Sequence, residues 1–154
     1  MAKYGYTRSV LLEMAVAVEN SAKDFYLALS EKIPEREALF ENLANDEEEH
    51  ARIYKQLLSR PGVYSTEEDR MLADFNIKVL EDLGVISNLR RGAERARKIS
   101  HLKSAIDVAV QLEKDTALFY SNMAMELGIE DRQEIYKIIQ TEYSHMYKVQ
   151  HITL

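Results

Sequence analysis

The sequence predicts an all-α fold, a four-helix bundle built from two antiparallel helix hairpins joined by a long crossover with an extra helix in it. Three observations carry that expectation. Apolar residues recur at spacings of three and four over long stretches, the period of a helix with one buried face. Only five glycines and two prolines occur in 154 residues, too little turn material for a β-sandwich or barrel. A segment near the start also returns in the second half with its chemistry-bearing residues intact. The length suits one domain with a single core.

Each element can be placed in turn. From Val10 to Leu29, residues Leu11, Leu12, Ala15, Val18, Ala22, Phe25 and Leu29 form one stripe. Ile33-Pro34 breaks it, and Pro34 suits the first turn of the next helix. That second helix is expected to reach about Arg60, with Leu39, Leu43, His50, Ile53, Tyr54 and Leu57 on its apolar side. Arg60-Pro61-Gly62 stops it. Within the crossover, residues 61–99, Ser65-Thr66-Glu67-Glu68 reads as a capping box. Leu72, Phe75, Val79 and Leu83 read as the stripe of a shorter helix ending at Gly84. A basic stretch follows, with Arg90, Arg91, Arg95, Arg97, Lys98 and Lys103 against Glu94. It reads either as a docking patch for an acidic partner or, the plainer expectation, as a solvated helix face. The third long helix is expected from near Ser100 through Ala109, Leu112, Thr116 and Phe119 to a stop at Gly128. The fourth runs from about Asp131 and carries Ile135, Ile138, Ile139 and Val149. The hairpins thus occupy about 7–60 and 100–152.

Composition removes several function classes. With no cysteine, there are no disulfides, no cysteine-ligated zinc or iron–sulfur sites and no thiol nucleophile. A net charge of −6 argues against a protein that binds nucleic acid by neutralising phosphates. The early apolar run Val10 to Val18 is short and interrupted by Glu13. Neither a membrane span nor a signal segment is expected, and a cytoplasmic location is the default.

The repeat sharpens the picture. VAVENSAKDFY, Val16 to Tyr26, aligns with VQLEKDTALFY, Val110 to Tyr120, placing Glu19 on Glu113, Phe25 on Phe119 and Tyr26 on Tyr120. NDEEEH, ending at His50, aligns with QTEYSH, ending at His145, placing Glu47 on Glu142. Residue 33, at the predicted first turn, lies midway between Glu19 and Glu47, and the Leu127–Gly128 step lies midway between Glu113 and Glu142. Each hairpin therefore brings its two glutamates level, roughly 20 Å from the turn.

In Glu47-x-x-His50 and Glu142-x-x-His145, residues at i and i+3 project from one helical face, so carboxylate and imidazole can share a metal or adjacent metals. Glu19 and Glu113 lie within apolar stripes, where an unpaired carboxylate is costly to bury. Two divalent cations would neutralise the four glutamates. The alternative is a metal-free bundle in which these acids form surface salt bridges and the histidines are ordinary core residues. A second matching ExxH, with its own upstream glutamate and turn, makes that alternative hard to reach by chance. Glu48 and Glu49 read as surface residues, and His101 and His151, each with lysine three positions earlier, fall outside the set.

These residues resemble the ferritin-like di-iron carboxylate superfamily, and the rubrerythrins in particular. There, E-x6-Y occurs on the first and third helices and E-x-x-H on the second and fourth, as in Glu19…Tyr26, Glu47…His50, Glu113…Tyr120 and Glu142…His145. The resemblance implies that Glu47 and Glu142 bridge two irons, with Glu19 and His50 completing one ligand set and Glu113 and His145 the other. Manganese or zinc suits the same ligands. Tyr26 and Tyr120 read either as hydrogen-bond donors to ligand carboxylates or as core packing. Thr116 stands where many rubrerythrins carry a further carboxylate, which makes the ligand set more like bacterioferritin's. Without cysteine the iron of a rubredoxin domain has no ligands here. The implied activity is reduction of hydrogen peroxide or dioxygen, with electrons from an external donor such as a rubredoxin. Ferroxidation for iron storage or delivery is the runner-up, and di-iron hydroxylation of an organic substrate comes third. A homo-oligomer, most simply a dimer, is expected.

Overall fold

The computed structural model describes residues 7–60, 65–83 and 91–152. Pro61, Gly62, Gly84 and Arg90, singled out above, lie outside them. Among the described residues are six α-helices and no strand. The long ones are α1 (Arg8–Lys32), α2 (Glu37–Leu58), α5 (Leu102–Met125) and α6 (Ile129–Gln150), and the crossover holds α3 (Glu67–Asp82) and α4 (Gly92–Arg97). None is long and apolar enough to cross a membrane.

The all-α bundle of long helices expected from periodicity is the one found, and its arrangement is the ferritin-like one that the resemblance implied. α1 packs along α2 and α5 along α6, and the two hairpins meet through α1–α5 and α2–α6. All seven apolar positions predicted for α1 are buried, as are Ala109, Leu112 and Phe119 of α5 and Ile135, Ile138, Ile139 and Val149 of α6. Thr7 caps α1 by accepting from the Val10 amide. Pro34 opens a short 3-10 turn, Pro34–Arg36, before α2 begins. Beyond the core, Arg8 forms a bidentate pair with buried Asp131 and donates to the Leu57 carbonyl at 3.1 Å, tying α1, α2 and α6 together at one end.

Four expectations need correcting. The crossover holds two helices, because the six-residue α4 is too short to show a period. The capping box is Thr66 with Asp69, one residue beyond the predicted position; the Ser65 hydroxyl instead donates to Glu13. In α3 the buried residues are Ala73 and Ile77, against α1, while Leu72, Phe75, Val79 and Leu83 face outward. Gly128 does not end the third long helix. It is the N-cap of α6 with extended backbone, and the Arg132 guanidinium satisfies the carbonyls of Ala124 and Leu127 at the end of α5, so no left-handed cap is needed.

Both crossover helices pack on α1. α4 comes so close that a Cβ on Gly92 would sit 1.8 Å from the Ser21 carbonyl oxygen, and the Gly92 amide donates to Ser21 Oγ at 2.9 Å. Of the basic stretch, Lys98 pairs with Glu94 and Lys103 with Asp107 along exposed helix faces.

Candidate metal centre

Each of the four long helices contributes one glutamate, and α2 and α6 add the histidine one turn later, so the six side chains meet in the middle of the bundle. Glu19, Glu142 and His145 are fully buried and Glu47, Glu113 and His50 nearly so. They divide into two overlapping groups. Ligand atoms of Glu19, Glu47, His50 and Glu142 all lie within 4.8 Å of one another, and so do those of Glu47, Glu113, Glu142 and His145.

The oxygens of the shared pair point in opposite directions. Glu47 Oε2 is 3.1 Å from His50 Nδ1, while its Oε1 is 3.2 Å from His145 Nδ1. Glu142 Oε1 is 3.3 Å from His50 Nδ1, and its Oε2 is 3.2 Å from His145 Nδ1. Glu19 joins the first group at 3.5 Å from His50, and Glu113 the second at 3.6 Å from His145. The two imidazoles stack with centroids 5.9 Å apart.

Without a cation the centre is electrostatically strained. Burial first, then Glu113 and Glu19, pushes the Glu47 carboxyl up to about 8. Burial and the charges of Glu47, Glu113 and Glu19 raise Glu142 well above the usual range. Burial works against ionisation of Glu113 as well, but the neighbouring His145 and Glu142 and the bond from Tyr26 hold it below its ordinary value. Burial alone would lower both histidines; their carboxylate partners instead raise them. Among the described residues, Glu19 Oε2, Glu47 Oε1, Glu113 Oε2, both oxygens of Glu142 and His145 Nδ1 are buried without a hydrogen-bond partner. Native interiors rarely leave so many polar atoms orphaned together. Oxygen and imidazole donors in this number suit divalent iron, manganese or zinc.

Of the two roles weighed for the tyrosines, donation is realised, and it crosses between hairpins. Tyr26 Oη donates to Glu113 Oε1, and Tyr120 Oη donates to Glu19 Oε1 at 2.6 Å. Burial, reinforced by the nearby glutamates, raises both phenols well above the usual range, so each keeps its proton for that bond. Their rings are also fully buried, so packing and donation coexist.

One residue of this neighbourhood escaped the sequence reading, and a second, Tyr54, was expected only as part of the apolar side of the second helix. Asp46 Oδ2 accepts from His145 Nε2 at 3.0 Å; its only signal was its place beside Glu47. Tyr54 packs with its ring 5.2 Å from Tyr120 and its hydroxyl buried without a partner among the described residues. The residues left out stay out: His101 caps α5 by accepting from the Ser104 amide, and His151 stacks on Tyr147. Thr116 is buried with its hydroxyl unpartnered among the described residues. A surface cavity of about 230 Å³ between α2 and α6 is lined by Asp46, His50, Lys137 and Thr141, among others, and reaches the centre at His50. The larger cavity of about 550 Å³, lined by Asp24, Leu27, Lys32, Ala93 and Arg97, lies away from it between α1 and α4.

Compared with known proteins, residues 11–153 match the family model described as Rubrerythrin. No curated protein and no solved structure matches the chain.

Proposed function

This chain belongs to the rubrerythrin family, and on that footing we propose that it is a di-iron oxidoreductase reducing hydrogen peroxide or dioxygen with electrons from an external donor. The observation that carries the reading is the pair of ligand groups sharing Glu47 and Glu142, each with one oxygen toward either half. Glu47 and Glu142 would bridge the metals, with Glu19 and His50 on one side and Glu113 and His145 on the other. Two ferrous irons there would supply the two electrons that, with two protons, reduce peroxide to water.

The chain's own residues do the rest. Tyr26 and Tyr120 orient the terminal carboxylates and hold a proton beside each. The surrounding apolar core excludes bulk water. The surface cavity lined by His50 is the opening beside the centre, and its volume of about 230 Å³ suits an oxidant as small as peroxide better than a bulky organic substrate. An external protein such as a rubredoxin is the proposed donor, and a homodimer the proposed assembly. Stopped-flow mixing of the reduced, iron-loaded protein with peroxide tests the reading: oxidation no faster than that of free ferrous ion overturns it.

Thr116 favours a second reading. A hydroxyl where the additional rubrerythrin carboxylate would stand leaves a six-ligand set suited to ferroxidation for storage or delivery. Storage needs a large hollow shell, so a dimer or tetramer in solution argues against it.

A further inference from the structure

The two halves of the centre repeat each other in their six inward-facing residues but not in what stands behind the histidines. On α2, Asp46 immediately precedes Glu47 and accepts a hydrogen bond from His145 Nε2. The equivalent residue on α6, immediately before Glu142, is Thr141, whose hydroxyl is 3.2 Å from the Lys137 carbonyl and donates to it. The carboxylate contacts of His50 all run through Nδ1, and among the described residues no carboxylate meets its Nε2. His145 is fully buried, whereas His50 forms part of the wall of the surface cavity.

A carboxylate behind an imidazole has definite consequences. An ionised carboxylate only accepts, so Nε2 must carry a proton, and Nδ1, aimed into the centre, is the nitrogen left to meet a cation once its own proton is displaced. The bond also locks the ring's orientation and increases its basicity as a ligand. His145 is prepared in this way. His50, whose Nε2 meets no carboxylate among the described residues, has no such partner to fix its tautomer and orientation when a cation arrives.

We propose that Asp46 is a positioning residue that makes the two metal positions unequal, so that a divalent cation fills the His145–Glu113 side first and leaves it last. This rests on the metal-centre reading above. Outer carboxylates of this kind typically change metal affinity by 10- to 100-fold, and a separation of roughly that size between the two positions is expected.

Titrating the metal-free protein anaerobically with Co²⁺, followed by calorimetry and the visible cobalt bands, tests it. The native protein should bind two ions in separate steps. Asp46→Asn should weaken the tighter step by roughly 10-fold or more and bring the steps together. Thr141→Asp should also bring them together, but by strengthening the weaker step. Glu113→Gln should remove the tighter step, and Glu19→Gln the weaker one. Equal steps in the native protein, an unchanged tighter step in Asp46→Asn, or a tighter step that survives Glu113→Gln would each overturn the inference. Failure of the native protein to bind Co²⁺ at all would overturn the metal-centre reading beneath it.

Discussion

The two halves of this protein carry the same ligand set in different surroundings. α1 is packed on by both crossover helices, whereas α5 leaves Leu118 and Met125 exposed. Behind one histidine stands Asp46, and at the matching place near the other stands Thr141. One turn beyond His50 lies Tyr54, and one turn beyond His145 lies Val149. What repeats is a set of carboxylate and imidazole donors that could hold a pair of cations; what differs is support and access. A repeat therefore identifies the chemistry, and the departures from it set how each half behaves.

The largest effect expected separates the shared ligands from the unshared. Glu47 faces both halves, so Glu47→Gln should reduce bound metal from two ions per chain to none, and Glu142→Gln should do the same. Glu19→Gln removes a donor from one half alone and should leave about one ion, because the other group of four remains intact. Elemental analysis after anaerobic loading decides this. One ion retained in Glu47→Gln would mean that the halves are independent sites.

The next effect compares the shared carboxylates with Glu113. Glu47, Glu142 and both histidines bind protons more tightly in the folded, metal-free protein than they would unfolded. The stability linked to Glu47 is complete below its ordinary value of 4.5 and is lost as pH rises toward about 8. That linked to the histidines is present below 6.5 and is lost at higher pH still. Glu113, held low, acts in the opposite sense, and its contribution is lost only as pH falls below the ordinary range. The metal-free protein should therefore lose on the order of a few kcal/mol of stability between pH 5 and 8. Cations compete with those protons, so metal affinity should rise over the same interval. Thermal melts with and without added metal measure both trends; a melting temperature that climbs with pH in the metal-free protein would contradict this account.

The covered half can be broken at Gly92. An added methyl would meet the Ser21 carbonyl and, at 2.9 Å, Phe25 Cβ, both part of a packed helix that cannot readily move. Gly92→Ala should cost ~1–3 kcal/mol while leaving metal stoichiometry unchanged, because α4 supplies no ligand. A loss of metal in proportion to stability would show that the cover supports the centre.

Gly92 also marks where sequence legibility ends. The hairpins were legible because each is long, periodic and bounded by turn residues, and the six central residues because they recur at matched heights. α4 packs on α1 with Gly92 and Ala96 buried, and six residues are too few to leave a periodic trace. In α3 the period correctly located a helix, but the stripe Leu72, Phe75, Val79 and Leu83 was not the buried face. Periodicity reports that apolar residues align; it does not report which neighbour covers them. Asp46 was missed for a related reason, since its partner lies on another helix and no local spacing announces the pair.

The smallest effect expected lies between Tyr54 and Tyr120, which pack against each other and differ in what their hydroxyls do. Tyr120 donates to Glu19, so Tyr120→Phe strips a buried carboxylate of its donor, a change that typically costs about 1–3 kcal/mol. The hydroxyl of Tyr54 is buried without a partner among the described residues. Removing it as Tyr54→Phe keeps the ring contact and deletes only a polar atom already kept from water, so stability should shift by less than about 0.5 kcal/mol, toward greater stability if at all. Paired denaturation curves of the two variants measure the difference. If Tyr54→Phe proved as costly as Tyr120→Phe, the two hydroxyls would act as one network and the Glu19 side would depend on both phenols. Near-neutrality would leave Tyr54 as packing that makes this half bulkier than the Val149 half, with Tyr120 alone orienting the carboxylate.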